Sequence, residues 1–431
     1  MLLIYTHKIT PRFSYIMKQI FTRILGVEII FTIKVEDFIR HTGPKITYTK
    51  QPLQNEFFIR SNDLLFEQGI NDLSINISDW QGVPCFFSTG ERSNVPFDIF
   101  SASFYLLSRY EEYLPHVKDH YGRFPPKESI GYQNGFLRRP VVDIWAQMLL
   151  KKLKEHFPEM AHKKRQYTYT SIIDVTTSHR FAHRGLVRGV AGLLLDFGTL
   201  KLKRVVGRIA VWFNSKKDPY DNFSYLVDLH KKHRVKSIFF FQFAAYSTYD
   251  KNVSTNNNKF KFLIKYIADY STVSLITSFS SFSDTELLKK ERKRLASVVN
   301  RSINYSRIRH NRVDVPDTYR NLVEAEFTDD YTMGYTHELG FRAGTCTQFY
   351  FYDINLEVQQ PIRIHPFAVH DYGILELATL DEILDKIGFL YQEVKNVHGD
   401  FITVFSNELL GASHKADWKK LYETTLKNYS V

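Results

Sequence analysis

The sequence is poor in cysteine and has no long apolar run. Its two cysteines, Cys85 and Cys346, form no CxxC pair, which excludes a disulfide framework and argues against a cysteine-based zinc site. The most apolar early run, Ile24 to Ile33, is too short for a membrane span and contains Glu28. The apolar segment within the first eight residues is too short for a signal peptide. We therefore expect a cytoplasmic location.

Signatures of nucleic-acid binding are also absent, because no helix-turn-helix, zinc-finger or RNA-binding pattern is present. The net charge of +11 still raises the question of an acidic partner. The basic residues lie in short runs at 231–234 and 289–294, where we predict solvated helix faces. An anionic glycan or membrane surface is the alternative partner for these runs. We expect no nucleic acid.

Apolar and aromatic residues are abundant, and they predict a large folded interior. With 431 residues, 35 of them Phe and 26 Tyr, the chain is long enough for two domains with extensive strand. The pattern up to residue 160 is mixed α and β, with strands at 2–5 and 29–33 and helices at 12–25, 99–112 and 142–157. The basic, polar stretch 161–166 is predicted to be a linker.

From Tyr167 onwards, short apolar runs alternate with helix-length segments. A helix is predicted at 286–299, with Ser283 and Glu286 as a capping box. Strands are predicted at 167–175, 237–244, 272–279, 305–307, 332–334, 348–352, 362–366 and 401–405. This alternation predicts a parallel sheet closed into a (β/α) barrel, with functional residues at the carboxyl ends of the strands. The segment 200–213, rich in both cations and apolar residues, is predicted to cover this barrel; a helix lying on an anionic membrane is the alternative.

Several segments are similar to a bacterial group within the polysaccharide deacetylase family. They include Pro316-Asp317-Thr318-Tyr319-Arg320, Gly340-Phe341-Arg342-Ala343-Gly344 and Ile364-His365-Pro366-Phe367. In the first part of the chain, Pro96-Phe97-Asp98-Ile99-Phe100 and Ser108-Arg109-Tyr110-Glu111-Glu112 resemble the uncharacterised domain that precedes the deacetylase in that group. The resemblance implies an α/β fold, namely a distorted (β/α) barrel at 165–431 preceded by a smaller α+β domain at 1–160.

The family hydrolyses acetyl groups with a bound divalent metal such as zinc, a carboxylate base and a histidine acid. At the matching positions of this sequence, the carboxylate base of the family is retained as Asp174. Thr176 stands at the metal carboxylate, and Ile276 and Ser280 stand at the other two ligand positions. Ser406 replaces the general acid, and Arg309 stands where the relatives carry a histidine. Isoleucine cannot coordinate a metal and a neutral hydroxyl is a poor ligand.

The resemblance therefore implies a degraded active site without a metal cofactor. Asp174 is the residual base position, and we expect the pocket around it to contain Thr176, Ile276, Ser280, Arg307, Arg342, His365 and Ser406. Two roles are open for Arg342, namely contact with a ligand and a structural ion pair. A relocated metal site is a further possibility, since His179 and His183 have i, i+4 spacing near Asp174.

The sequence thus predicts a deacetylase-like protein that has lost catalysis and acts as a binding or scaffolding module in cell-surface polysaccharide metabolism, with a carbohydrate as the expected ligand. The alternative is an active metal-dependent carbohydrate deacetylase with a rearranged metal site. Metal content distinguishes the two hypotheses.

Overall fold

The computed structural model of the chain describes residues 1–375, 377, 379–411 and 417–430. The first part contains a four-stranded parallel sheet in the order β2-β1-β3-β4 and an antiparallel hairpin, β5–β6. Its strands are β1 (Leu2–Tyr5), β2 (Ile29–Thr32), β3 (Lys45–Thr49), β4 (Phe57–Arg60), β5 (Ser78–Trp80) and β6 (Val83–Cys85). Its helices are α1 (Pro11–Met17), α2 (Val35–Arg40), α3 (Ile99–Leu107), α4 (Tyr110–Tyr113), α5 (Ile130–Gln133) and α6 (Val141–His156).

The second part contains a nine-stranded sheet in the order β12-β13-β11-β10-β9-β8-β7-β15-β14. All of its pairings are parallel except β12 with β13. Its strands are β7 (Thr168–Val175), β8 (Lys236–Gln242), β9 (Thr272–Ile276), β10 (Tyr305–Arg307), β11 (Asp329–Asp330), β12 (Phe349–Asp353), β13 (Val358–Ile364), β14 (Val369–His370) and β15 (Asp400–Ser406). Its helices are α7 (Leu186–Gly198), α8 (Leu202–Trp212), α9 (Phe223–Lys232), α10 (Asn258–Ala268), α11 (Thr285–Val299), α12 (Asp317–Glu324), α13 (Leu380–Asn396), α14 (Asn407–Leu410) and α15 (Trp418–Tyr429).

This sheet is curled into a distorted barrel, as predicted. After β13 the chain crosses from one half of the sheet to the other. Just after β13 the His365 N–H donates to the Asp330 carbonyl of β11 (2.8 Å), and three residues later the Ala368 N–H donates to the Ile402 carbonyl of β15 (3.0 Å). A separate apolar cluster fills the interior, formed by Ile172, Ile238, Phe240, Ile276, Tyr331, Phe367, Ile402 and Val404. Because these residues come from strands on both halves of the sheet, the carboxyl ends of the strands surround a common opening.

The two parts of the chain are packed against each other through a continuous apolar core. Tyr15 of α1 contacts Tyr352 of β12, with ring centroids 5.0 Å apart. Asp143 of α6 accepts hydrogen bonds from the Thr345 hydroxyl (2.6 Å) and the Cys346 N–H (3.0 Å). The segment 161–167, close to the predicted linker, has no regular secondary structure. The division into domains at 1–160 and 165–431 stays a prediction.

Several predicted elements need correction. The predicted strand at 332–334 is wrong, because the strand is the two-residue β11 just before it. The predicted helix at 99–112 is interrupted at Arg109, which adopts a left-handed conformation with φ 56°. The capping box is also wrong, because the Asp284 side chain, and not that of Ser283, accepts the hydrogen bond from the Leu287 N–H (2.9 Å). Within the described ranges, no helix is both long and apolar enough to cross a membrane.

Candidate functional site

A cavity of about 490 Å³ opens at the carboxyl ends of the barrel strands. Residues at or just after the ends of β7, β9, β10 and β15 form its floor, namely Asp174, Thr176, Ile276, Arg307 and Ser406. Its walls come from the segments around these strand ends, with Tyr249, Lys251, Arg309, His310, His370, Tyr372 and Glu408 among the lining residues. Ligand sites of α/β barrels lie at this end of the sheet, and the volume is in the range of small-molecule sites.

Asp174 and Arg307 form an ion pair on the cavity floor. The Arg307 Nη2 donates to Asp174 Oδ2 (2.9 Å), and its Nε lies 2.8 Å from Asp174 Oδ1. Arg307 is only 1% exposed, and it also donates to Asn311 Oδ1 (3.0 Å) and to the Tyr331 carbonyl. Both carboxylate oxygens of Asp174 therefore face the guanidinium, and the side chain is fixed in one orientation.

The Thr176 hydroxyl donates a hydrogen bond to Glu408. Ile276 lies in the apolar cluster of the barrel interior and presents only hydrocarbon to the cavity. Ser280 is exposed on the short 3-10 turn Ser280–Phe282 and does not line the cavity. These three residues do not supply a set of ligands for a divalent metal.

Ser406 is held by the buried carboxylate of Asp371. Its N–H and its hydroxyl both donate to Asp371 Oδ2, at 2.6 and 2.7 Å. The Ser406 Oγ in turn accepts from the Leu409 N–H (3.3 Å) at the start of α14. His370, which also lines the cavity, has its Nδ1 2.9 Å from Asp371 Oδ1. Ser406 therefore serves as the N-cap of α14, and its partner Asp371 also contacts the His370 imidazole.

The first part of the chain contributes one wall of the cavity. Arg123 donates to the His310 carbonyl (2.9 Å) and to the Thr336 hydroxyl (3.0 Å). The Tyr121 ring stacks on the His310 ring, with centroids 4.6 Å apart and an interplanar angle of 12°. Burial, reinforced by the charges of Arg309 and Arg123, lowers the pKa of His310 to about 3. This imidazole is therefore neutral at physiological pH.

Of the predicted pocket residues, Asp174, Thr176, Ile276, Arg307 and Ser406 are brought together. Ser280, Arg342 and His365 do not line the cavity, and the pocket assignment is corrected for these three. Arg342 is buried against Glu112 of α4, with its Nη2 and Nε 2.7 and 2.8 Å from the carboxylate oxygens. His365 stacks on Tyr331 (4.2 Å between centroids) and contacts Asp329 of β11, so its ring packs against that strand and not on the cavity.

Several cavity residues were missed by the sequence analysis. The sequence analysis assigned no role to Glu408 or Lys251, and it noted Arg309 only as a departure from the resembled family. Tyr121 and Arg123 had no comparable signal, because nothing in the sequence places this loop of the first part over the barrel.

The possible relocated metal site is only partly formed. His179 and His183 do lie close together, with ring centroids 4.8 Å apart. Across the part of the chain that the structure describes, however, no group of three or more His, Cys, Asp or Glu side chains is arranged to hold a metal ion.

Comparisons with known proteins give a family match for the first part of the chain, and a likeness to solved structures at the level of the fold. Residues 2–158 match a family of unknown function, DUF7033. No curated protein matches the chain. A protein assigned as a polysaccharide deacetylase from Mycobacterium smegmatis is 11% identical, with a TM-score of 0.40, and the match covers 62% of this chain and 86% of that one.

Two further solved structures also match this chain with low sequence identity and a low TM-score. A protein assigned as a polysaccharide deacetylase from Pseudomonas aeruginosa PAO1 is 9% identical, with a TM-score of 0.39, over 73% of this chain and 91% of that one. A CE4 family pseudoenzyme from Bacillus anthracis is 10% identical, with a TM-score of 0.29, over 62% and 63% of the two chains. Because these identities and TM-scores are low, any statement about function has to rest on the side chains of the cavity.

Proposed function

We propose that this chain is a deacetylase-like protein that no longer carries out metal-dependent hydrolysis and uses the barrel cavity to bind a carbohydrate. The observation that carries the proposal is the composition of the cavity floor, where Thr176 is engaged by Glu408 and Ile276 offers only hydrocarbon. Its role in cell-surface polysaccharide metabolism, as a binding or scaffolding module, is part of the same proposal.

The loss of hydrolysis follows from the chemistry of the acetyl group. An acetyl amide is a poor electrophile and water is a poor nucleophile at neutral pH, so hydrolysis in this family depends on a bound metal. Asp174 alone cannot replace that activation, because both of its oxygens face Arg307. Ser406 cannot act as the general acid of the family, since its hydroxyl already donates to Asp371.

The walls of the cavity support an acidic carbohydrate as the ligand. Four cations line the cavity, Arg123, Lys251, Arg307 and Arg309, against the two carboxylates of Asp174 and Glu408. The aromatic rings of Tyr121, Tyr249 and Tyr372 provide apolar faces beside them. Hydroxyls and amides on the floor and walls supply further hydrogen-bonding groups. Arg307 is paired with Asp174, and Arg123 with Asp119 (2.7 Å). This leaves Lys251 and Arg309, the latter 4.0 Å from Asp250, as the cations that favour a sugar with a carboxylate or phosphate over a neutral one.

Titration calorimetry of the full chain with uronate-containing and neutral oligosaccharides tests this proposal. We expect binding of the acidic oligosaccharide that weakens with added salt, and a loss of roughly ten-fold in affinity for Arg309→Ala, in line with one charge-assisted hydrogen bond. The matched control is Arg294→Ala, a cation on α11 that does not line the cavity. Equal binding of neutral and acidic oligosaccharides, or undiminished binding by Arg309→Ala, would contradict the proposed ligand class.

A further inference from the structure

The α7–α8 hairpin exposes two apolar stripes where a barrel-covering helix was predicted. On α7, the exposed side chains follow a spacing of three and four residues along one face: Val187, Val190, Leu194 and Phe197. A second stripe on α8 has the same kind of spacing: Leu202, Val206, Ile209 and Phe213. Val187 is 84% exposed, Phe213 78%, and Leu200, between the helices, 82%. Exposed apolar surface of this extent marks an interaction site.

The hairpin has polar groups inside and apolar groups outside. Arg208 and Asp196 are buried between the helices, where they form an ion pair at 2.6 Å. The helices approach closely at Gly189 and Gly192, where an added Cβ would lie 2.8 Å from Trp212 and Arg208 atoms respectively. The apolar stripes are therefore not the packing faces of the hairpin, since the helices contact each other through their other sides.

The charges of the hairpin are almost all positive. Between Gly185 and Lys217 the sequence has seven Lys and Arg residues and a single acidic residue, Asp196, which is paired with Arg208. Three of these cations, Lys201, Lys203 and Arg204, are exposed around the turn between the helices. Apolar stripes flanked by cations fit a surface that is both apolar and anionic.

We propose that the α7–α8 hairpin docks the protein on an anionic lipid bilayer, with the two apolar stripes in the headgroup region. The helices have 13 and 11 residues and are too short to span a bilayer, so they would lie along its surface. A second copy of the chain is a poorer partner, because a two-fold contact would bring the same cations of the two copies face to face.

Docking would hold the cavity close to the lipid surface. The hairpin begins ten residues after Thr176 of the cavity floor, at Leu186. Arg188 of α7 lies over the Tyr246 ring, at 4.6 Å, in the loop that also contributes Tyr249 and Lys251 to the cavity. The hairpin and the cavity mouth therefore lie on the same end of the barrel.

Vesicle co-sedimentation with the full chain tests the proposal. We expect the protein to bind vesicles of phosphatidylcholine with phosphatidylglycerol, to bind phosphatidylcholine alone much more weakly, and to dissociate as salt is raised. The test variant Leu194→Ser/Val206→Ser/Phe213→Ser should reduce the partition coefficient at least roughly ten-fold, since it removes three apolar anchors. A second variant, Lys201→Glu/Lys203→Glu/Arg204→Glu, should remove the preference for anionic lipid.

All six substituted side chains are exposed, so folding should be preserved, and far-UV circular dichroism checks this. The matched control is Phe262→Ser/Lys261→Glu on α10, where Phe262 is also 71% exposed; it should bind as the unmodified protein does. Absent vesicle binding, equal binding to both lipid compositions, or full binding by the apolar variant would each overturn the proposal. Self-association that is lost in the apolar variant, without vesicle binding, would assign the stripes to a second copy instead.

Discussion

Two buried arginine–carboxylate clusters in this protein have similar chemistry and different surroundings. The interface cluster comprises Arg109, Glu111, Glu112 and Arg342, and joins α4 to the 340–344 segment of the barrel part. The cavity pair comprises Asp174 and Arg307. In the interface cluster, Arg109 contacts both glutamates, at 2.7 and 2.8 Å, and Glu111 also accepts from the Ile130 N–H (2.8 Å).

The difference between the two clusters lies in access to the cavity. No member of the interface cluster lines it, whereas both members of the cavity pair do. Burial alone would raise the pKa of Glu112, but Arg342 and Arg109 more than offset this and hold it at about 2. Arg342 is thus buried in an ion pair between the two parts of the chain, while the same residue type at Arg307 lines the cavity.

The largest effect should come from breaking the interface cluster. Glu112→Ala leaves Arg109 and Arg342 buried with an uncompensated charge, so we expect a loss of about 3–5 kcal/mol in the free energy of unfolding. Urea denaturation measures this. The control Lys118→Ala removes one partner of the exposed Lys118–Asp314 pair and should cost less than about 1 kcal/mol. If both variants lose the same stability, the interface cluster is not the structural element described above.

Glu291 of α11 is a buried carboxylate that differs from both clusters, because among the described residues no cation forms an ion pair with it. Burial raises the pKa of Glu291 to about 7, although hydrogen bonds such as that from the Ser278 N–H (3.1 Å) oppose the shift. Between its unfolded pKa near 4.5 and about 7, the folded state retains a proton that the unfolded state has lost. Stability should therefore fall as pH rises through this window, by up to about 1.4 kcal/mol per pH unit.

Urea denaturation at several pH values, on the unmodified protein and Glu291→Gln, measures that slope. The Gln variant should lose the part of the slope that Glu291 causes, because it carries no titrating proton. An identical pH profile for both proteins between pH 4.5 and 7 would show that burial is not controlling this carboxyl group.

A smaller effect is expected from the cavity pair. Asp174→Ala removes the partner of Arg307, but Arg307 keeps its bonds to Asn311 and the Tyr331 carbonyl, and water can reach the site from the cavity. We expect a loss of about 1–3 kcal/mol in the free energy of unfolding. A loss as large as that of Glu112→Ala would mean that the cavity pair is a framework element like the interface cluster.

Much of the fold was predictable from the sequence, because apolar periodicity reports buried strands. The predicted strands at 2–5 and 305–307 coincide with β1 and β10. The pattern failed at β11, since its two residues, Asp329 and Asp330, are acidic and are buried by polar partners such as Arg363 and Ser306. Hydrophobic patterning cannot detect a strand of that kind.

The candidate site was predictable where its residues follow strands directly. Asp174 is the last but one residue of β7 and Thr176 follows that strand, while Ile276 and Ser406 end β9 and β15, so barrel geometry brings them together. Arg342 was misplaced because its partner, Glu112, is 230 residues away in sequence. Arg123 was missed for a similar reason, since its place over the cavity depends on how the two parts of the chain pack.

Acetate release from acetylated oligosaccharides, measured with and without zinc, tests whether the cavity floor supports metal-dependent hydrolysis. Absence of a general acid alone should cost roughly 10²–10⁴-fold in rate, and absence of the metal several kcal/mol more, at about 1.36 kcal/mol per ten-fold. We therefore expect release at the level of the blank, with or without zinc, and the same for Asp174→Ala. Acetate release that requires zinc and disappears in Asp174→Ala would contradict it and establish an active deacetylase.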